Sequence, residues 1–141
     1  MEENNKLRYS DLTPFQKKSI CNGCGGKGGW FNPPEFLFHA SCNQHDFYYW
    51  RGGNENDRKE ADDAFYEFMK KDVSEAKWFR KPFYGLAAYT YYKSVRIFGK
   101  KFFNYCDSQK TKDNVIELAE NNRETLKNSK NIIQGETNGN S

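Results

Sequence analysis

The stretch Ser41-Cys42-Asn43-Gln44-His45-Asp46-Phe47-Tyr48-Tyr49 sets an imidazole beside a carboxylate. Histidine titrates near neutral pH and can take a proton from water. A carboxylate is a hard oxygen donor of the kind that holds calcium. The glycine-rich run from Gly23 to Gly29 lies upstream, where backbone without Cβ atoms can wrap an ion with its carbonyls. Tyr49 follows the histidine by four positions, and Asp62 lies on the next helical stretch; both are candidate partners for the histidine's surroundings. The same residues allow a rival chemistry. Cys21-x2-Cys24-x17-Cys42-x2-His45 has the spacing of a closed Cys3His zinc site. His45 would then be a ligand and not a base, and the chain a zinc-stabilised binding or structural domain without catalysis.

Positioning such residues requires helices. Thr13-Pro14 has N-cap and first-turn chemistry, which predicts a short helix to about Ile20. The run from Cys21 to Gly29 must be a loop. Asn32-Pro33-Pro34 predicts the start of a second helix through Arg51, on which Phe38, Cys42, His45 and Tyr49 share one stripe. Asp46 lies about 100° around from His45, so the two side chains face different partners. Gly52-Gly53-Asn54 ends that helix, and Asp57-x-x-Glu60 reads as a capping box opening a third helix to Asp72. Its buried face is expected to hold Ala61, Phe65, Phe68 and Met69, with Asp62 at the border. The short connection makes the two helices antiparallel neighbours and brings Asp62 toward His45.

Of the 141 residues, 36% are hydrophobic and 17% aromatic, which predicts a core of a few large rings. The net charge of +3 is too small to argue for nucleic acid, and no nucleic-acid module is recognisable. Its distribution is uneven: from Lys77 to Lys101 the chain carries lysines and arginines among Trp, Tyr and Phe, and no acidic residue. One or two helices are expected there, the longer from Phe83 to Phe98. By base rate this segment is a third wall of the core. The functional reading is an interfacial surface in which Trp78, Phe79, Arg80, Lys81 and Phe83 meet anionic lipid, at a corner marked by Pro82 and Gly85. The start Met-Glu-Glu-Asn-Asn-Lys lacks a basic segment followed by an apolar run, so no secretory signal is read and the chain is expected to be cytoplasmic as synthesised, with release by a non-signal route left open. Residues 1–12 are expected to be a loose arm, 13–106 a helical domain, and 107–141 a polar extension with a disordered end. Oligomeric state is not legible.

Cys42-x-x-His45-Asp46-x-x-Tyr49, preceded by Cys24-Gly25-Gly26-Lys27-Gly28-Gly29 and followed by Asp62 in Arg58-Lys59-Glu60-Ala61-Asp62-Asp63-Ala64-Phe65, resembles the phospholipase A2 superfamily, and its bacterial and fungal members more than the venom enzymes. The resemblance implies an all-α fold: two antiparallel helices, a glycine-rich calcium loop and here a further aromatic helical segment. It implies a calcium-dependent hydrolase that frees a fatty acid from phospholipid at a membrane surface. His45 would be the general base, Asp62 its orienting partner, and Tyr49 a support for Asp62. Asp46 and the backbone carbonyls of Cys24, Gly26 and Gly28 would bind Ca2+, and the Gly26 amide would help stabilise the oxyanion. The family ties the loop to the helix by a disulfide; Cys42 pairing with Cys24, pairing with Cys21, and remaining reduced all stay open.

Overall fold

The computed structural model describes residues 6–21, 36–115 and 124. The protein is all-α: among the described residues there is no strand, only two isolated bridges. Helices α1 (Pro14–Ile20), α2 (His39–Arg51), α3 (Glu55–Glu75) and α4 (Lys81–Phe98) all lie in one compact unit spanning Arg8–Gln109. A second unit takes in Met1–Leu7 and Lys110–Ser141; its described part carries the Lys6–Thr111 bridge and buries Leu7 and Val115. No described helix is long and apolar enough to cross a membrane.

Helix α1 starts as its sequence requires. The Thr13 hydroxyl accepts from the Gln16 amide, the Gln16 side chain accepts from the Thr13 amide, and Pro14 occupies the first turn. Helix α2 begins later than expected. Its expected start at Asn32 lies outside the described residues. Phe36 takes φ +48°, left-handed backbone that cannot belong to a right-handed helix, and the helix sets off only at His39. Phe36 instead lays its ring against Phe83, Tyr84 and Tyr91 of α4.

The α2–α3 turn departs from expectation by one helical turn. The cap of α3 is Asn54, whose side chain accepts from the amides of Asn56 and Asp57, while Asp57 accepts from the Asn54 amide at 2.8 Å. The box is therefore Asn54–Asp57 and not Asp57–Glu60. Gly52 supplies the reversal at φ +76°, where a Cβ would lie 2.3 Å from the carbonyl oxygen of Asn104. After this turn α3 runs back along α2. Ser41 reaches Asp72 while His45 reaches Asp62, so contacts advance along one helix as they retreat along the other. Helix α4 returns along α3 in the same way, through Arg58–Arg96, Asp63–Tyr92 and Tyr66–Tyr89. Pro82 sits in the first turn of α4, where it lacks no needed amide, and Gly85 is accommodated inside the helix.

Phe38, Cys42, Phe65, Met69 and Ala88 form the core between these three helices, flanked by Tyr84, Tyr91 and Tyr92. Phe38 and Met69 have no exposed surface, and each such side chain contributes about 1.5–3 kcal/mol on burial. Phe68, expected in this face, is only half-buried, because the core side of α3 is centred on Arg58, Ala61, Asp62, Phe65 and Met69.

Candidate active site

The stripe read on α2 is buried along its whole length: Phe38, Cys42, His45 and Tyr49 all face inward. The first two join the apolar core, and the last two meet Asp62, which α3 carries with 0% of its surface exposed. His45 Nε2 lies 2.8 Å from Asp62 Oδ1. The Tyr49 hydroxyl donates to the same oxygen at 2.6 Å. Phe65, one turn along α3, stacks on the imidazole with ring centroids 4.5 Å apart, and Tyr49 covers it from the α2 side at 4.2 Å. The Tyr49 ring is backed edge-on by Phe103. Gly99 passes so close to the Tyr49 hydroxyl that a Cβ there would fall 2.2 Å from it.

The electrostatics fix the proton positions. Burial works against a charged Asp62, but hydrogen bonds from His45, Tyr49 and Arg96 outweigh it and hold the carboxyl below its ordinary range. An ionised carboxylate only accepts, so Nε2 of His45 must be the donor and Nδ1 keeps its lone pair. Burial pushes the imidazole pKa down against the opposing pull of Asp62, which favours the neutral ring near pH 7. Burial and the neighbouring Asp62 both push the Tyr49 phenol up, so it stays a donor.

Two arginines complete the cluster, and neither was anticipated from the sequence. Arg96 of α4 donates through Nη1 to Asp62 Oδ2 at 2.8 Å. Arg58, itself 4% exposed, approaches Oδ2 at 3.4 Å and spends the rest of its fork on Glu55. Arg58 and then Tyr105 hold Glu55 down at about 2. Arg58 stands four residues before Asp62, so an i,i+4 pair was there to be read. Arg96 is 34 positions away and carried no such signal.

Asp46 is half-buried on α2, one residue around from His45. Cys24, Gly26 and Gly28, expected around it, lie outside the described residues. Cys42 is in a disulfide, while Cys21 and Cys106 carry thiols. The Cys42–Cys21 pairing is therefore not formed, nor is Cys42 reduced. The zinc alternative loses Cys42 as a thiolate ligand, and Nε2 of its histidine is turned to a carboxylate. Among the described residues no group of three or more His, Cys, Asp or Glu side chains is arranged for a metal. Trp78 is 82% exposed in the turn before α4, with Phe79, Arg80, Lys81 and Phe83 exposed beside it. His39 is exposed and paired with Asn43, away from the site.

Fold and site together define a class: an all-α protein in which a histidine on one helix is joined to a buried aspartate on the next. The sequence model of the prokaryotic phospholipase A2 family matches residues 10–99, a span that contains His45, Tyr49, Arg58, Asp62, Phe65 and Arg96, and the chain belongs to that family. It is thus placed among the lipolytic hydrolases that act on phospholipid. Neither a curated protein nor a solved structure matches the chain.

Proposed function

We propose that the chain is a calcium-dependent phospholipase A2-type hydrolase that releases a fatty acid from phospholipid at the sn-2 ester, with His45 as general base. The observation that carries this reading is the 2.8 Å contact between His45 Nε2 and Asp62 Oδ1. With Nε2 committed as donor, Nδ1 takes a proton from water as the water oxygen bonds to the ester carbonyl carbon. Collapse of the tetrahedral adduct breaks the bond to the glycerol oxygen, which leaves with the proton held at Nδ1. Asp62 offsets the charge of the transient imidazolium, and Tyr49 keeps Asp62 oriented. No covalent acyl-enzyme is required.

Asp46 and the carbonyls of Cys24, Gly26 and Gly28 would hold Ca2+, with water and substrate completing the roughly 6–8 oxygens calcium takes. The donor chemistry fits: Asp46 is a hard oxygen donor one residue from the base, and the Cys42 sulfur is committed to a disulfide and so is no thiolate for a softer ion. When bound, the ion supplies positive charge to the ester carbonyl oxygen, assisted by the Gly26 amide.

Trp78, Phe79, Arg80, Lys81 and Phe83 are the proposed contact with the phospholipid surface. Their exposure supports this role, since apolar rings with basic neighbours suit the headgroup layer. The disulfide at Cys42 fits a working environment that is oxidising. Vesicles of phospholipid labelled separately in the sn-1 and sn-2 chains test the reading. Release of the sn-2 label alone, abolished by a calcium chelator, is expected. Release that persists in chelator, or no release under any condition, contradicts it.

A further inference from the structure

We propose that Arg96 is a positioning residue for the base: by holding Asp62 Oδ2 it keeps Oδ1 facing His45, so the orientation of the imidazole depends on a side chain from α4. The inference rests on the reading of His45 as the base, but its geometry stands apart from that reading. A carboxylate turns easily about its terminal torsion, and its two oxygens are chemically equivalent. Here they are assigned to different partners. Oδ1 accepts from His45 Nε2 at 2.8 Å and Tyr49 at 2.6 Å, and Oδ2 accepts from Arg96 Nη1 at 2.8 Å and Arg58 Nη1 at 3.4 Å.

The two arginines are not equivalent. Arg58 is tied to Glu55 by its Nε and Nη2 and reaches the carbonyls of Val95 and Arg96 near the end of α4. Its contact with Asp62 is the longest of the four. Arg96 makes the short contact and lies 4.0 Å from Glu55 at its other nitrogen, beyond hydrogen-bond reach. Without Arg96, Oδ2 retains only the 3.4 Å approach of Arg58, no short contact holds that oxygen, and the Tyr49 hydroxyl at Oδ1 is left as the one short contact besides His45 that resists rotation of the carboxylate.

Arg96→Lys separates geometry from charge. A lysine ammonium ends about one bond short of an arginine Nη, so the cation stays near Asp62 while the contact with Oδ2 is lost. Compensation of the buried carboxylate is retained, and the variant is expected to fold. Two readouts apply. On a soluble short-chain ester with saturating calcium, kcat should fall about 10-fold with KM unchanged within about twofold, as for outer partners that orient functional histidines. The second readout needs no turnover. The chain has two histidines, so His39→Gln leaves His45 as its only imidazole. The proton magnetic resonance spectrum of that protein should contain a downfield, slowly exchanging Nε2–H signal, and Arg96→Lys in the same background should broaden it or move it upfield. Arg96→Gln should lower kcat further than Arg96→Lys.

An Arg96→Lys protein that matches the wild type in kcat or in the Nε2–H signal overturns the proposal. So does a wild type lacking that signal. A wild type that never hydrolyses phospholipid sinks the catalytic reading instead, and the Nε2–H signal then still tests whether Arg96 orients the imidazole.

Discussion

Replacing Gly99 by alanine puts a methyl group where the Tyr49 hydroxyl lies. The new Cβ would stand 2.2 Å from Oη, 3.1 Å from Cζ and 3.3 Å from Cε2. Contact becomes ordinary at 3.4 Å, so the hydroxyl must retreat by about 1.2 Å. Phe103 backs the ring and His45 lies over it, which leaves the tyrosine little room to rotate. Such a shift takes a 2.6 Å hydrogen bond to Asp62 beyond useful range. Overpacking a filled site costs about 1–3 kcal/mol, and losing a hydrogen bond to a charged group about 1.5–3 kcal/mol. Relief of one effect is the loss of the other, so they overlap, and roughly 3 kcal/mol is expected. At a urea slope of about 1.5 kcal/mol/M the unfolding midpoint falls by about 2 M. The decisive arm is a double-mutant cycle. In the Tyr49→Phe background the 2.2 Å clash has no oxygen to meet, and Gly99→Ala should cost less than about 1 kcal/mol, a coupling of about 2 kcal/mol. Urea unfolding of the four proteins measures it. If Gly99→Ala costs the same in both backgrounds, the close approach of Gly99 is not what seats the Tyr49 hydroxyl, and the reasoning fails.

Four further outcomes follow from the structure. With the His45 pKa below 6.5, the acid limb of kcat/KM on a soluble ester should have its midpoint below pH 6.5; a midpoint above it contradicts the buried neutral base. Stability should weaken in the same direction: below 6.5 the unfolded chain takes up the His45 proton first, and the contribution of Asp62, present above 3.8, is lost as pH falls through its lower folded value. Urea midpoints that hold steady from pH 7 to pH 3 would refute both assignments. Asp46→Asn should lower calcium affinity in titration calorimetry and turnover together, and an unchanged affinity removes Asp46 from the proposed ligands. Trp78→Ala with Lys81→Ala should weaken binding to anionic vesicles by roughly 100-fold at low salt, from about 3 kcal/mol of lost apolar and ionic contact, while hydrolysis of a short soluble ester stays within twofold.

The parts of the site visible in the sequence are those written in local spacing. Phe38, Cys42, His45 and Tyr49 follow the helical period, and a three-residue turn after Arg51 is enough to bring Asp62 back to them. The cap of α3 is ambiguous in the sequence because Asn54–Asp57 and Asp57–Glu60 both fit the pattern, and only the backbone reversal at Gly52 and Gly53 chooses between them. The start of α2 is not legible because no propensity rule predicts a phenylalanine at positive φ; packing of its ring on α4 accompanies that conformation. The zinc spacing was equally regular, yet spacing does not say whether a sulfur becomes a thiolate or half of a disulfide. Arg96 was illegible for a different reason. Its contact depends on how α4 is rotated against α3, a property of core packing across Phe65, Met69 and Ala88 and not of any short motif.

Turnover by His45→Ala is the most direct measure of whether this imidazole takes the proton. Fatty-acid release and calcium binding, measured on the same preparations of wild type and variant, should show turnover reduced by about 10³-fold with calcium affinity within a few-fold of wild type. A variant that retains release within tenfold of wild type would mean that some other group activates the water.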